Sequence, residues 1–299
     1  MRFGLMLSEP KGPDVFGGLR ERIARAAGDG FSSMWMSHIF GLDALTALAV
    51  AGSQVPGIEL GTAVVPTYPR HPAALAQQAL SANAALDGRL ALGIGLSHQI
   101  VIEGLYGYSF DKPARHMREY LSILMPLVRG ESADFEGETL TGKLALSTPG
   151  PNDMPVLIAA LAPRMLKLAG EVADGTVLWM TGPKTVAEHV APAVTEAARA
   201  AGRPAPRIVC ALPVCVTDDV DAARALAAER FEVYGQLPSY RAVLDREGAA
   251  GPADVAIVGD EDAVSAQIET LAKAGVTDFV AAEYSSGDRR TRDFLKGLL

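Results

Sequence analysis

Residues 89–101 read RLALGIGLSHQIV. An apolar run closes on Gly93-Ile94-Gly95, the opening of a dinucleotide-binding turn, but His98 stands where that fingerprint needs its third glycine. A strand with this ending, and no pyrophosphate turn after it, has to be placed by its neighbours. Runs of strand length lie at 2–7, 32–36, 58–65, 90–95, 155–160, 175–180, 207–216 and 278–283. Helical patterns fall between and after them, at 17–28, 43–53, 72–85, 113–129, 163–173, 183–201, 219–233, 260–274 and 288–298. Short strands alternating with helices predict βαβ units and a parallel sheet. Eight such units give the count of a (β/α)8 TIM barrel. A doubly wound sheet stays open as the alternative, although no linker or change of composition divides residues 1–299, which read as a single domain.

Local signals agree with these boundaries. Asp43, Asp219 and Asp260 are placed as N-caps, and Pro72, Pro113, Pro163 and Pro183 as first helical residues. Gly28, Gly130, Gly202 and Gly275 are placed as C-terminal stops. Two segments break the rhythm: 131–154, which reads as an insertion with a short hairpin, and 235–257, which reads as irregular. The helices at 43–53 and 72–85 carry Ala or Leu on most faces, so a partner subunit covering them, and hence a homodimer, is expected.

The chain is 49% hydrophobic and 21% charged, with a net charge of −8. No basic footprint for nucleic acid is present, and no run approaches the ~18 apolar residues of a membrane span. The opening MRFGLMLSEP lacks the apolar core of a signal peptide, so a cytoplasmic location is expected. Cys210 and Cys215 fall on one strand, roughly 16 Å apart and on opposite faces, so they read as buried thiols that do not pair.

In a parallel barrel the chemistry collects beyond the C-terminal ends of the strands. Those positions hold Ser37-His38, Thr62 to Thr67, Gly95 to His98, Ala159-Ala160-Leu161, Trp179 to Gly182 and Glu283-Tyr284. Absent are a glycosidase carboxylate pair, a metal-ligand cluster, a phosphate-binding P-loop and a nucleophile elbow. A mouth rich in small residues, hydroxyls and amides suits a planar ligand that brings its own chemistry. The helix opened by Pro183 offers amides for a phosphate.

Taken together, GFSSMWMSHIF (30–40), the stretch from Glu59 to His98, VLIAALAPRMLKLAGEVADGTVLWMTGP (156–183) and AGVTDFV (274–280) resemble the luciferase-like monooxygenase superfamily. Within it they resemble the branch that uses coenzyme F420, a deazaflavin that carries hydride. The resemblance covers nearly the whole chain and implies a barrel with insertions. It implies that the fourth strand's end lies beside the cofactor and that Ala63–Val64 is a non-proline cis peptide supporting the ring. It further implies cofactor contacts from Ser37, His38, Thr62, Ala63, Val64, Gly95, Leu96, Ser97, His98, Ala159, Ala160, Leu161, Arg164, Trp179, Met180, Thr181 and Gly182. Lys184 is a second basic residue near the phosphate end. Ser37 and His38 are the catalytic candidates, His38 either protonating substrate or only contacting cofactor. His71 reads as a cap or wall contact, and His116 and His189 as exposed helix residues.

Ser37 stands where the family's sugar-phosphate dehydrogenases carry an acid, and their basic cluster has no counterpart here. The implied reaction is hydride transfer between F420 and a small carbonyl, imine or activated alkene, in either direction. An FMN-dependent monooxygenase and a non-catalytic deazaflavin- or flavin-binding protein remain the alternatives.

Overall fold

The computed structural model describes residues 1–284 and 289–299. In chain order its strands are β1 (Arg2–Met6), β2 (Ser33–Met36), β3 (Glu59–Thr62), β4 (Val65–Pro66), β5 (Leu90–Gly95), β6 (Ala133–Glu136), β7 (Thr141–Leu144), β8 (Val156–Ala159), β9 (Gly175–Trp179), β10 (Arg207–Val216), β11 (Ile257–Gly259) and β12 (Asp278–Glu283). The helices are α1 (Val15–Asp29), α2 (Ala44–Gly52), α3 (Pro72–Ala85), α4 (Gln99–Gly104), α5 (Pro113–Val128), α6 (Pro163–Glu171), α7 (Pro183–Thr185), α8 (Ala191–Ala200), α9 (Val220–Gln236), α10 (Pro238–Glu247), α11 (Glu261–Lys273) and α12 (Arg290–Gly297). A π-helical turn, Val186–Val190, joins α7 to α8. The closing helix expected at 288–298 is α12; residue 288 itself lies outside the described residues.

Strands β10, β12, β1, β2, β3, β5, β8 and β9 follow one another in parallel, and β9 pairs back onto β10. The ring is closed: this is the expected (β/α)8 barrel. One large side chain fills much of its interior. Trp35 is fully buried there, with its indole N–H donating to Ser33 Oγ at 2.9 Å. Across from it a Cβ on Gly61 would fall 2.3 Å from the indole ring, so a glycine is required opposite the tryptophan. Ala91, Leu157, Val177, Val209, Ala211 and Val280 complete this layer.

Charge closes the N-terminal end of the barrel. Arg207 reaches Glu59 at 2.8 Å and Asp278 at 2.6 Å, and Arg2 reaches Asp278 at 3.2 Å. The Asp278 side chain is only 3% exposed, so its charge is tolerable only because both guanidinium groups lie against it.

The predicted caps form. Asp43, Asp219 and Asp260 accept from the amides of Thr46, Ala222 and Ala263. The stop expected at Gly28 lies instead at Gly30, whose φ of 96° suits glycine and whose N–H reaches the Ala26 and Ala27 carbonyls. Segment 131–154 does contain a hairpin, β6 with β7. Its turn is fastened to α5 by Glu119, which accepts from the amides of Glu138, Thr139 and Leu140 and from the Thr139 hydroxyl. Burial alone would raise this carboxyl's pKa; those hydrogen bonds outweigh it and hold the pKa below the ordinary value.

The segment expected to be irregular, 235–257, is mostly ordered secondary structure. Leu237 is extended, as a residue before proline prefers, and Pro238 restarts the chain as α10. Beyond it β11 adds to the upper half of β10, Val214 pairing with Ile257. The apolar helices α2 and α3 pack against each other, α2 also against α1 and α3 against α5. Leu45, Leu48, Leu75, Ala76 and Ala79 are thereby buried within one chain, while Val50 of α2 stays exposed. Among the described residues no helix is long and apolar enough to cross a membrane.

Replacing Arg207 with Met strands the carboxylates of Glu59 and Asp278 against Arg2 alone. The variant is expected to lose about 3 kcal/mol of stability in urea unfolding at pH 7.

Candidate functional site

The opposite, C-terminal end of the barrel is open. Its uppermost inward residues Met6, Ala63, Val64, Ala159 and Trp179 are half-buried, whereas the layer beneath them is closed. The shape of this floor follows from one extra residue. Gly61 pairs with Ala91 and Val65 with Ile94, so Thr62, Ala63 and Val64 face only Leu92 and Gly93. That is a β-bulge, and the Ala63–Val64 peptide within it is cis.

Thr62 repairs the interrupted ladder. Its hydroxyl donates to the Gly93 carbonyl at 2.7 Å and accepts from the Gly93 amide at 2.9 Å. The two glycines of the 89–101 stretch make room for the bulge. A Cβ on Gly93 would meet the Thr62 carbonyl oxygen at 2.0 Å, and one on Gly95 would meet Val64 Cγ2 at 2.6 Å and Ala159 Cβ at 3.1 Å. Gly95 thus seats the floor from below, and Leu96 follows it half-buried at the edge.

Ser37 and His38 follow β2 and are both half-buried. His38 Nδ1 faces the Ala44 amide at 3.2 Å, and its Nε2 faces Arg70 Nη2 at 3.1 Å. Arg70 in turn binds Asp43 at 2.8 Å, and Gln78 donates to the same carboxylate at 3.1 Å. Both ring nitrogens therefore look at donors. A neutral imidazole carries one N–H, so only one contact can be a hydrogen bond at a time, and an imidazolium would satisfy neither. Burial first, and then the Arg70 charge, push the His38 pKa below 6.5, against an upward pull from Asp43.

A wall of aromatic rings stands over the other side. Tyr284, Phe231, Trp179, Tyr234, Tyr240 and His98 form a chain of neighbours with ring centroids 5.2–5.8 Å apart. Phe231 and Tyr234 come from α9 and Tyr240 from α10. Sequence reasoning missed these three, although 231–240 concentrates rings in a chain that is only 6% aromatic. Arg70 was missed too; its signal was a basic residue between a strand end and the helix-opening Pro72. Ser97, with φ 62°, precedes His98, which heads the short α4 without a side-chain cap bond, a helix not expected from the sequence.

The expected phosphate end is differently built. Met180, Thr181 and Gly182 are buried, and the Thr181 hydroxyl donates to the Trp179 carbonyl at 3.2 Å. The Lys184 and Thr185 amides donate to Glu247, at 3.1 and 2.7 Å. A carboxylate already holds that helix start, so it does not offer the free amides expected for a phosphate. Ala160 is buried, while Leu161 is half-buried and its carbonyl faces His189 Nε2 at 2.9 Å. Arg164 is exposed in the first turn of α6, a helix with no side-chain cap, and forms no ion pair among the described residues. Lys184 is exposed as well.

Two histidines expected at the surface are not there. His116 stacks on Tyr68 at 3.9 Å and meets the Thr67 hydroxyl at 3.0 Å, and burial pushes its pKa down to about 4. His189 is half-buried against Leu161. His71 caps α3, accepting from the Ala73 amide at 3.3 Å. Cys210 and Cys215 are buried and unbonded to each other, as expected.

A family profile described as luciferase-like monooxygenase matches residues 1–278. The chain belongs to that family. A 5,10-methylenetetrahydromethanopterin reductase of Methanolobus tindarius is 28% identical over 281 residues, covering 84% of this chain and 86% of the relative. A Mycobacterium tuberculosis protein, Rv3520c, named as an F420-dependent oxidoreductase, is 30% identical over 315 residues, covering 89% and 90%. Among solved structures, an F420-dependent secondary alcohol dehydrogenase holding an F420–acetone adduct superposes with a TM-score of 0.83 at 19% identity, covering 100% and 98% of the two chains. The FMN-bound oxygenating component of 3,6-diketocamphane monooxygenase from Pseudomonas putida gives 0.75 at 21% identity, covering 99% and 96%. Both share the barrel of the luciferase-like fold.

Replacing Arg70 with Met removes the charge that opposes protonation of His38 and leaves Asp43 Oδ2, 3.9 Å from Nδ1, as the remaining one. The His38 pKa is expected to rise, read from ring 15N shifts across a pH series. In the wild type the unfolded ring binds a proton more readily than the folded one, so stability falls as pH drops below 6.5; the variant is expected to flatten that slope.

Proposed function

We propose that this protein is an F420-dependent oxidoreductase that moves a hydride between the deazaflavin and a small carbonyl, imine or activated alkene. The observation that carries the reading is the floor at Ala63–Val64: small, apolar and half-exposed, raised by a bulge, in a family whose matched relatives include F420-dependent reductases. When bound, the deazaflavin supplies or accepts the hydride, and the chain supplies position and surroundings.

In this reading Met6, Ala63, Val64 and Ala159 lie under the flat ring, and Trp179 stands beside it. Ser37 and Ser97 offer hydroxyls at the rim, where the planar system carries its polar edges. The aromatic rings of α9 and α10 exclude water from one side of the mouth, which strengthens any polar contact made there. Arg164 and the uncapped start of α6 take the anionic tail, because the α7 start is spent on Glu247.

Flavin use is the second reading, favoured by the likeness of the fold to an FMN-bound monooxygenase. Fluorescence quenching separates the two. F420 is expected to bind at micromolar or lower concentration and FMN much more weakly; FMN binding without F420 binding would overturn the proposal. Replacing Gly95 with Ala drives a methyl into Val64 and Ala159 and so lifts the floor into the mouth. About tenfold weaker F420 binding is expected, equivalent to ~1.4 kcal/mol of overpacking.

A further inference from the structure

Val209 and Ala211 of β10 face the barrel interior, so Leu212 between them and Pro213 faces outward. Outside the wall it lines a cavity of about 230 Å3. Ile257 of β11 and Leu271 of α11 are buried beside it and complete an apolar floor. The rim is polar and more exposed. Glu247 comes from the end of α10, Asp254 from the 3-10 turn before β11, and Gln267 and Thr270 from α11.

The loop behind this rim is held by its own hydrogen bonds. Arg241 donates to the Ala249 and Ala250 carbonyls at 2.6 and 2.8 Å, and Arg224 to the Ala253 carbonyl at 2.7 Å. Asp254 Oδ2 accepts from the Ala250 and Gly251 amides at 2.7 and 3.1 Å, while its Oδ1 has no hydrogen bond to a described residue. Glu247 takes one amide on each oxygen, from Lys184 and Thr185. An ionised carboxylate has about four acceptor sites, so both groups keep lone pairs for a further donor. The other two polar side chains have spent their hydrogens. Gln267 Nε2 donates to the Val258 and Ala263 carbonyls, and the Thr270 hydroxyl to the Ala266 carbonyl. The polar side chains of the rim thus offer acceptors only.

We propose that this cavity is a second binding site, separate from the mouth, for a small organic cation: an ammonium group on an apolar body. An ammonium group has three donors and no acceptor, which complements the rim, and its apolar body fits the floor of Leu212, Ile257 and Leu271. The volume is below the roughly 300–1,000 Å3 of ordinary ligand pockets, so the occupant is small. The net charge of −8 favours a cation over an anion. The site bears on the mouth through Glu247. That carboxylate fastens α10, the helix carrying Tyr240 of the aromatic wall, to the start of α7. Gly182 packs so close that a Cβ there would collide with the same carboxyl group. An occupant bonded to Glu247 braces this joint from behind. The inference stands without the cofactor reading.

The probe is 2-phenylethylammonium, titrated into the purified protein without cofactor and followed by saturation-transfer NMR. Its neutral counterpart 2-phenylethanol and the bare ammonium ion are the controls, and each is expected to bind about tenfold more weakly or worse. With the amine at saturation, amide hydrogen exchange is expected to slow in α10 and at Lys184 and Thr185. Glu247→Gln is expected to weaken binding about tenfold. Thr270 is exposed and its hydroxyl bonds only within its own helix, so Thr270→Trp plugs the cavity and is expected to abolish binding while urea unfolding stays unchanged. No binding of the amine at millimolar concentration would overturn the proposal. So would the alcohol binding as tightly as the amine, protection confined to other segments, or a folded Thr270→Trp variant that binds like the wild type.

Discussion

One residue too many on the third barrel strand governs the shape of the mouth. Between the Gly61–Ala91 and Val65–Ile94 pairs, three residues on one side meet two on the other. The surplus has to leave the plane of the sheet, and it leaves toward the open end, where Ala63 and Val64 become a floor. Everything nearby adapts to that displacement. Thr62 replaces lost backbone bonds with its hydroxyl, Gly93 clears the Thr62 carbonyl, and Gly95 clears Val64 and Ala159. A side chain at either glycine would compete for the volume the bulge occupies.

The two ends of the barrel solve opposite problems. Below, Arg207, Arg2, Glu59 and Asp278 close the ring with opposed charges that neutralise one another. Above, Met6, Ala63, Val64 and Ala159 are uncharged and half-buried, so the floor offers little to attract an anion. The formal charge of −8 deepens that difficulty. Where α7 begins, Glu247 occupies the helix start, while Arg164 on α6 and Lys184 on α7 are both exposed.

The histidines show how neighbours divide labour among identical side chains. His38 faces a donor at each ring nitrogen, and burial and Arg70 lower its pKa, while His116 stacks on Tyr68 and meets the Thr67 hydroxyl. His98 lies against the Tyr240 ring, 5.6 Å between centroids. The sequence left His38 either protonating substrate or only contacting cofactor, and the structure sets both of its ring nitrogens against donors.

The sequence by itself determined the barrel. Periodicity, helix-opening prolines and aspartate caps are local properties, and each is written within a few residues of the element it defines; Asp43, Asp219 and Asp260 cap where they were expected to. The strand-end positions of Ser37, Ala63, Val64, Gly95 and Trp179 were legible for the same reason. Contacts across the mouth were not. Arg70 meeting His38, Glu247 meeting the α7 amides, and Tyr240 meeting His98 join residues 32, 62 and 142 positions apart or nearly so, and only the closed ring decides them. Even the break at 235–257 became helix because Pro238 restarts the chain and the barrel mouth gives the new helix something to pack against. Local chemistry chooses elements, whereas a site is made of distant groups brought together, and that step belongs to the tertiary structure.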